Sequence, residues 1–236
     1  MKNILNEPRV KLALGWAIAF AVMYGVLWLA HQYTPPQHNP FRPLDLNDPI
    51  GAATFRKFTT IKYDREACFT ALDNADIAYT PLEDRETAPG CGFRNALTLD
   101  RTLTPYSATL SMTCVQTAAL YTWEKQVLRP AAEDLLGSPV ARINTYGSFS
   151  CRTIAGSRRM SQHATANAID ISGVRLEDGR TIDVKTHWGQ DTPEADFLER
   201  AFEGACDLFS VVLGPDYNRA HADHFHFDMG SGNVCR

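Results

Sequence analysis

At 236 residues, with 44% hydrophobic residues and a formal net charge of −4, the chain has the length and apolar content for one large or two small domains with a packed core. No long run of one charge sign interrupts it. Nucleic acid, which demands a basic face, is therefore excluded as the main partner.

The first segment, residues 1–11, carries Lys2, Arg9 and Lys11. Leu12 to Ala30 (residues 12–30) comes next with no charged residue, long enough to cross a bilayer core of about 30 Å. The basic flank predicts a cytoplasmic N-terminus, a single pass through the inner membrane and a periplasmic remainder. A cleaved signal peptide competes with this reading. The apolar run is long for one, and Trp28, Leu29 and His31 do not make a small-residue cleavage site. A buried soluble helix is the third reading.

Residues 31–60 continue the chain. Within them Tyr33 to Pro49 holds five prolines and reads as an extended, semi-rigid tether, with a proline-rich ligand for a partner as the alternative. Residues 61–236 form the expected globular domain. Its six cysteines (Cys68, Cys91, Cys114, Cys151, Cys206 and Cys235) are even in number, and none lies in a CxxC pair. That pattern predicts disulfides in an oxidising compartment. The simplest scheme is sequential: 68–91, 114–151 and 206–235.

Cys68, Leu72, Ala75 and Ile77 suggest a short amphipathic helix or helix–strand join over 67–78, and 80–92 reads as a loop. Ala96 to Leu99 reads as a short strand. Thr113 to Leu136 is the clearest helix, with Thr113 at its start and Pro130 expected to kink or split it. Val140 to Tyr146 reads as a strand, Thr153 to Met160 as a basic, glycine-containing loop, and Ala168 to Val174 as a buried strand. The DG turn in Leu176 to Arg180 predicts a hairpin returning over Thr181 to Val184. Glu194 to Phe209 is a second long helix, Ser210 to Leu213 a strand, and His224 to Asp228 a final strand. Together these predict an α+β domain with a small, mainly antiparallel sheet and flanking helices, carried by one N-terminal transmembrane helix.

Two stretches concentrate the chemistry: SQHATANAID (Ser161 to Asp170) and HADHFHFD (His221 to Asp228). A catalytic zinc takes three ligands from His, Asp, Glu or Cys and keeps one position open. His163 and Asp170 stand seven apart across a small-residue turn that enters a strand, so a loop imidazole and a strand carboxylate can converge. His224 and His226, at i and i+2, share one strand face. Asp228 continues that face, where it can orient a ligand histidine or serve a salt bridge. His31, His38 and His187 have no such context.

SQHATANAID resembles the SxHxxGxAxD motif, and HFH the HxH motif, of the LAS-type zinc peptidases. That group includes D-Ala-D-Ala carboxypeptidases, penicillin-insensitive murein endopeptidases and the hedgehog domain. A wider set of blocks (GSFSCR, SQHATANAIDISGV, the DGR hairpin, VLGPDYNRAHADHFHFDMG and the terminal CR) resembles the bacterial extensin-like C-terminal domain family over roughly Cys68 to Arg236. The resemblance implies a LAS/hedgehog-type fold with Zn2+ held by His163, Asp170 and His226. It makes His224 a neighbouring histidine that stabilises an oxyanion or moves protons, and Asp223 the general base. His221 becomes an additional active-site histidine, Arg152 a substrate-positioning group and Ser161 a loop-shaping residue. The motif glycine is Ala166 here; if φ is positive there, alanine adds strain without deleting a ligand.

The implied function is a membrane-anchored periplasmic zinc metallopeptidase that hydrolyses peptidoglycan stem peptides or cross-links, with endopeptidase action favoured. Local wall opening around an envelope-spanning machine would suit it. The alternative is a non-catalytic, zinc-containing peptidoglycan-binding or scaffold module, since hedgehog domains keep the same constellation without an evident peptidase role.

Overall fold

The computed structural model describes residues 8–236, so residues 1–7 of the expected cytoplasmic terminus lie outside the described residues. Helix α1 (Pro8–Tyr33) is long and apolar enough to be a membrane span or a signal sequence, and none of it is buried within the protein.

The expected tether is partly built into the globule. Asn39 is buried, and its Nδ2 donates to the His31 carbonyl at 3.0 Å. Leu46 is buried in the main core, and Leu44 and Ile50 pack against it. The Gln126 side chain takes the Ile50 N–H at 2.7 Å and donates to the Asp48 carbonyl at 2.8 Å. Apolar residues set among the prolines thus gain burial that a free spacer would forgo. Helix α2 (Thr54–Ile61), with Phe58 fully buried, also falls largely inside the expected linker of residues 31–60.

Helix α3 (Arg65–Asp73) is capped by Asp64, whose carboxylate accepts the Ala67 N–H. Strand β1 (Ala78–Pro81) succeeds it. The expected loop 80–92 contains a hairpin instead, β2 (Arg85–Ala88) against β3 (Cys91–Phe93). Its strands are too short for a legible alternation. β1 joins β4 (Ala96–Arg101) and β5 (Leu110–Thr113) in a three-stranded antiparallel sheet.

Helix α4 (Cys114–Trp123) starts as expected, with Thr113 Oγ1 accepting the Gln116 N–H. As expected, the helix divides in two near Pro130, which falls in the first turn of the second piece. A π-helical segment (Glu124–Leu128) carries the chain into α5 (Arg129–Leu136), and the Arg129 N–H reaches back to the Glu124 carbonyl. The wider turn gives the proline ring room where a regular turn would clash. Gly137, at φ 65°, supplies the left-handed residue that ends the helix.

The second sheet holds β6 (Val140–Gly147), β7 (Ala168–Leu176), β8 (Thr181–Asp183), β9 (Val211–Leu213), β10 (Phe225–Asp228) and β11 (Val234–Cys235). Its order is β11-β9-β10-β7-β6, with β8 also pairing β7. All pairs are antiparallel except β11 on β9. β11 lies beyond the last expected strand and is the true final one. The short helix α6 (Val184–His187) and the long α7 (Pro193–Cys206), capped by Thr192, lie between β8 and β9. The α+β expectation and the mainly antiparallel sheet hold.

Strand alternation divides the two faces of β7 and β10. Ile169, Ile171, Phe225 and Phe227 enter the core with α4 and α7, where Trp123 meets Phe227 edge-on at 5.3 Å and donates to the Ala201 carbonyl. Asp170, His226 and Asp228 turn to the other face.

The disulfides are Cys68–Cys114, Cys91–Cys151 and Cys206–Cys235. Only 206–235 agrees with the sequential scheme. Cys68 on α3 meets Cys114 at the start of α4, and Cys91 on the β2–β3 hairpin meets the segment leading into the first motif. Neighbourhood in space sets the pairing, and these two bonds close loops of 46 and 60 residues.

Candidate metal centre

Three elements bring the ligand candidates together. Asp170 on β7 and His226 on β10 are direct cross-strand partners, so their side chains rise side by side on the non-core face. His163 comes from a 3-10 turn (Gln162–Thr165) capped by Ser161, whose hydroxyl accepts the His163 N–H at 3.3 Å. Ala166 ends that turn in the left-handed region at φ 56°. This is the positive φ for which the motif glycine is suited. The turn is pinned at several points: Ser150 N donates to the His163 carbonyl, Thr113 N to the Ala166 carbonyl, and Met229 N to the Asn167 carbonyl.

His163 Nε2, His226 Nδ1 and Asp170 Oδ1 form a triangle with sides of 3.1, 3.1 and 2.9 Å. All three residues are nearly sequestered from solvent, and they form a group spaced to hold a metal ion. The far nitrogen of each imidazole is engaged. His163 Nδ1 lies 2.7 Å from the Ser148 carbonyl, which can only accept, so this nitrogen carries the proton. His226 Nε2 lies 2.9 Å from Asp228 Oδ2 and donates to it. Asp228 in turn accepts the Gly230 N–H at 2.7 Å. With both protons directed outward, two nitrogen lone pairs and one carboxylate face the same point.

With neutral imidazoles the triangle turns only acceptors inward, and a positive charge satisfies it, whether a metal ion or an added proton on His226. A tetrahedral zinc with ligands at about 2.0–2.1 Å spaces its donor atoms roughly 3.3 Å apart. The donor set and spacing are those of a group that could hold a metal ion of this size. Burial resists ionisation of Asp170, but the hydrogen bonds and positive character of His163 and His226 outweigh it and hold its carboxyl well below the usual carboxylate range. Burial likewise disfavours charging His226, yet Asp170 and Asp228 prevail and raise its pKa to about 9. The two shifts are the two sides of one pairing, in which the carboxylate and a positive charge beside it stabilise each other.

The remaining candidates ring the site. His224 directs Nε2 to within 3.6 Å of Asp170 Oδ1, while its Nδ1 donates to Asp223 at 2.9 Å. Asp223 therefore stands behind His224, away from the triangle. That hydrogen bond is the main reason its carboxyl is held below the ordinary value. His221 ends a 3-10 turn (Arg219–His221), with its ring 5.2 Å from that of His224 and 5.9 Å from that of His226. Burial, then the neighbouring histidines, push its pKa down to about 4, so it is neutral at physiological pH. Arg152 is exposed yet close enough for its charge to weigh on His221.

Two contributors escape a reading of the sequence. Tyr146, at the end of β6, packs its ring edge-on to His224 at 5.6 Å, with its hydroxyl 3.5 Å from Asp223. Ser148 acts through its carbonyl. Gly147 pairs with Asp170 in the sheet, so register between β6 and β7 places both, and register is invisible in sequence.

A family model described as extensin-like protein C-terminus matches residues 66–236. No curated protein and no solved structure matches the chain.

Proposed function

The chain belongs to the extensin-like protein C-terminus family, and from that premise we propose that it is a membrane-anchored, periplasmic zinc peptidase acting on peptidoglycan peptides, cross-links above all. The observation that carries this reading is the buried triangle of His163, Asp170 and His226, whose atoms lie close enough together to hold a metal ion. Kinship with the LAS-type peptidases and their fold belongs to the same proposal, supported by the spacing of both motifs.

Bound zinc supplies Lewis acidity, lowering the pKa of a water molecule toward 7 and polarising an amide carbonyl. The protein's own groups do the rest. His224 Nε2 is the atom placed to take a proton from the attacking water. Asp223, expected from the resemblance to be the base, instead fixes the His224 tautomer and stabilises the imidazolium that forms. His221, uncharged at physiological pH, offers a second imidazole toward the same space. Arg152 steadies the substrate from the rim.

The test is digestion of purified cross-linked muropeptides by wild type, His226→Ala and His224→Ala, each with metal content measured and with and without chelator. Wild type should contain stoichiometric zinc and release shortened products. His226→Ala should lose both properties, whereas His224→Ala should keep its metal and lose most of its rate. Zinc-loaded wild type that leaves every muropeptide intact would favour a binding module and sink the peptidase reading.

A further inference from the structure

Two hairpins beside the metal turn carry arginines without carboxylate partners, although Arg85 lies over the Phe93 ring at 5.5 Å. The first is β2–β3 with its flank, bearing Arg85 and Arg94. The second is the stretch 152–160, bearing Arg152, Arg158 and Arg159 and no acidic residue. None of these five guanidinium groups has a carboxylate partner among the described residues, although three other arginines (Arg65, Arg180 and Arg200) do. In a chain of net charge −4 the second stretch is a local reversal of sign, whereas the first also carries Glu83, Asp84 and Glu86.

The second hairpin is not a loose loop. Thr153 bridges Met160, Ile154 N donates to the Arg159 carbonyl, Ser157 N to the Ile154 carbonyl, and Arg159 N to Ser157 Oγ. Cys91–Cys151 staples it to the first hairpin, and Met160 lies under Gly90, where an added Cβ would stand 3.1 Å from Met160 Cγ. Its base runs directly into the metal turn, since Ser161 N donates to the Arg152 carbonyl.

Beside the staple opens a groove of about 980 Å³, reached by Arg85, Arg94, Lys62 and Tyr63 and walled by Gln162 and Asn167 of the motif turn. Asp84 and Glu86 also line it. Asp84 pairs with Arg65 and accepts the Asn95 N–H, and Glu86 accepts the Gly90 N–H. The groove thus carries Arg85, Arg94 and Lys62 along a wall shared with the motif turn, with room for several peptide residues.

We propose that the stapled hairpins are a docking surface for a polycarboxylate, namely the free carboxylates of wall peptide stems, gripped beside the bond presented to the metal. The inference rests on the peptidase reading for the identity of the polymer. Charge complementarity selects a carboxylate-rich chain, and continuity with the metal turn selects the substrate over a distant surface. Guanidinium groups grip carboxylates through paired N–H donors, and such contacts weaken as salt rises.

The experiment is co-sedimentation of the detergent-solubilised full chain with purified sacculi in the cold, over a salt series. It compares wild type, Arg158→Glu/Arg159→Glu and Arg85→Gln/Arg94→Gln, with zinc content recorded for each. Parallel arms use sacculi whose carboxylates have been converted to amides, and phosphatidylglycerol vesicles. Expected are salt-sensitive binding by wild type, a loss of roughly tenfold or more for each double variant, a similar loss on amidated sacculi, and unchanged zinc. Arg158 and Arg159 are exposed, so their variant tests the surface without disturbing the core. The proposal is overturned if both double variants bind as wild type does, if amidated sacculi bind equally well, or if the vesicles alone show the arginine dependence. Digestion of the same sacculi is scored separately, so loss of the peptidase reading and loss of the docking reading give different results.

Discussion

Ala166 shows how opposing small terms settle a single position. A non-glycine residue in the left-handed region costs about 1–2 kcal/mol. Yet the Ala166 methyl is fully buried with Phe93 and Ala96, worth about 0.8 kcal/mol, and glycine would cost about 0.5–1 kcal/mol in chain entropy. The terms nearly cancel. Ala166→Gly should therefore shift stability by less than about 1 kcal/mol, whereas Ala166→Val, β-branched at positive φ in a closed space, should cost more than about 3 kcal/mol. Urea denaturation of both variants checks this. Asp228 acts at the same scale through His226. Its removal leaves the imidazole free to turn or to swap tautomers, so Asp228→Ala should weaken zinc binding about 10–100-fold while the fold persists. Competition against a chromophoric chelator reads the change, and an unaltered affinity would reduce Asp228 to a turn residue.

Among the elements, the π-helical segment carries a buried acid that no sequence pattern singles out. Glu124 is inaccessible, with Oε1 lacking a partner among the described residues and Oε2 accepting from the Tyr106 hydroxyl at 3.3 Å. Burial raises its pKa above the ordinary 4.5, against the hydrogen bonds from Thr102, Thr104 and Tyr106. The folded protein thus keeps a proton that the unfolded chain has released. The stabilisation is complete below about pH 4.5 and drains as pH rises to the folded value. Glu124→Gln, neutral throughout, should match wild type near pH 4 and exceed it near pH 7.5, in denaturation curves at the two pH values; an equal gap at both would refute the account. Helix periodicity reveals α4, α5 and α7 and not this carboxyl, because amphipathic pattern reports a face, not which polar residue on it is enclosed. The hairpin β2–β3 and the two-residue β11 stay hidden for a related reason: three or four residues hold too few repeats of a period of two. The candidate metal residues are legible because their spacing is local within each motif, while Tyr146 and the Ser148 carbonyl arrive through sheet register.

For the molecule as a whole, the disulfides join parts that the sequential scheme keeps separate. Cys91–Cys151 closes 60 residues, and a loop of that size is worth about 4 kcal/mol in the chain-entropy account. It also anchors the segment whose Ser148 and Ser150 hold His163. Cys91→Ser/Cys151→Ser should lower the melting temperature and weaken zinc binding together. Cys206→Ser/Cys235→Ser, closing 29 residues at the sheet edge, should lower stability and leave zinc affinity near wild type. Thermal melts paired with metal titration separate the two, and equal losses of zinc from both variants would remove the first bond's special role. The packed segment from Leu44 onward has a different bearing. Leu44 stands eleven steps along the chain from Tyr33, the last residue of α1, a length that fully stretched reaches no more than about 40 Å. With α1 seated in a bilayer, the domain would be held like an animal on a short rope, meeting only what passes close above the lipid.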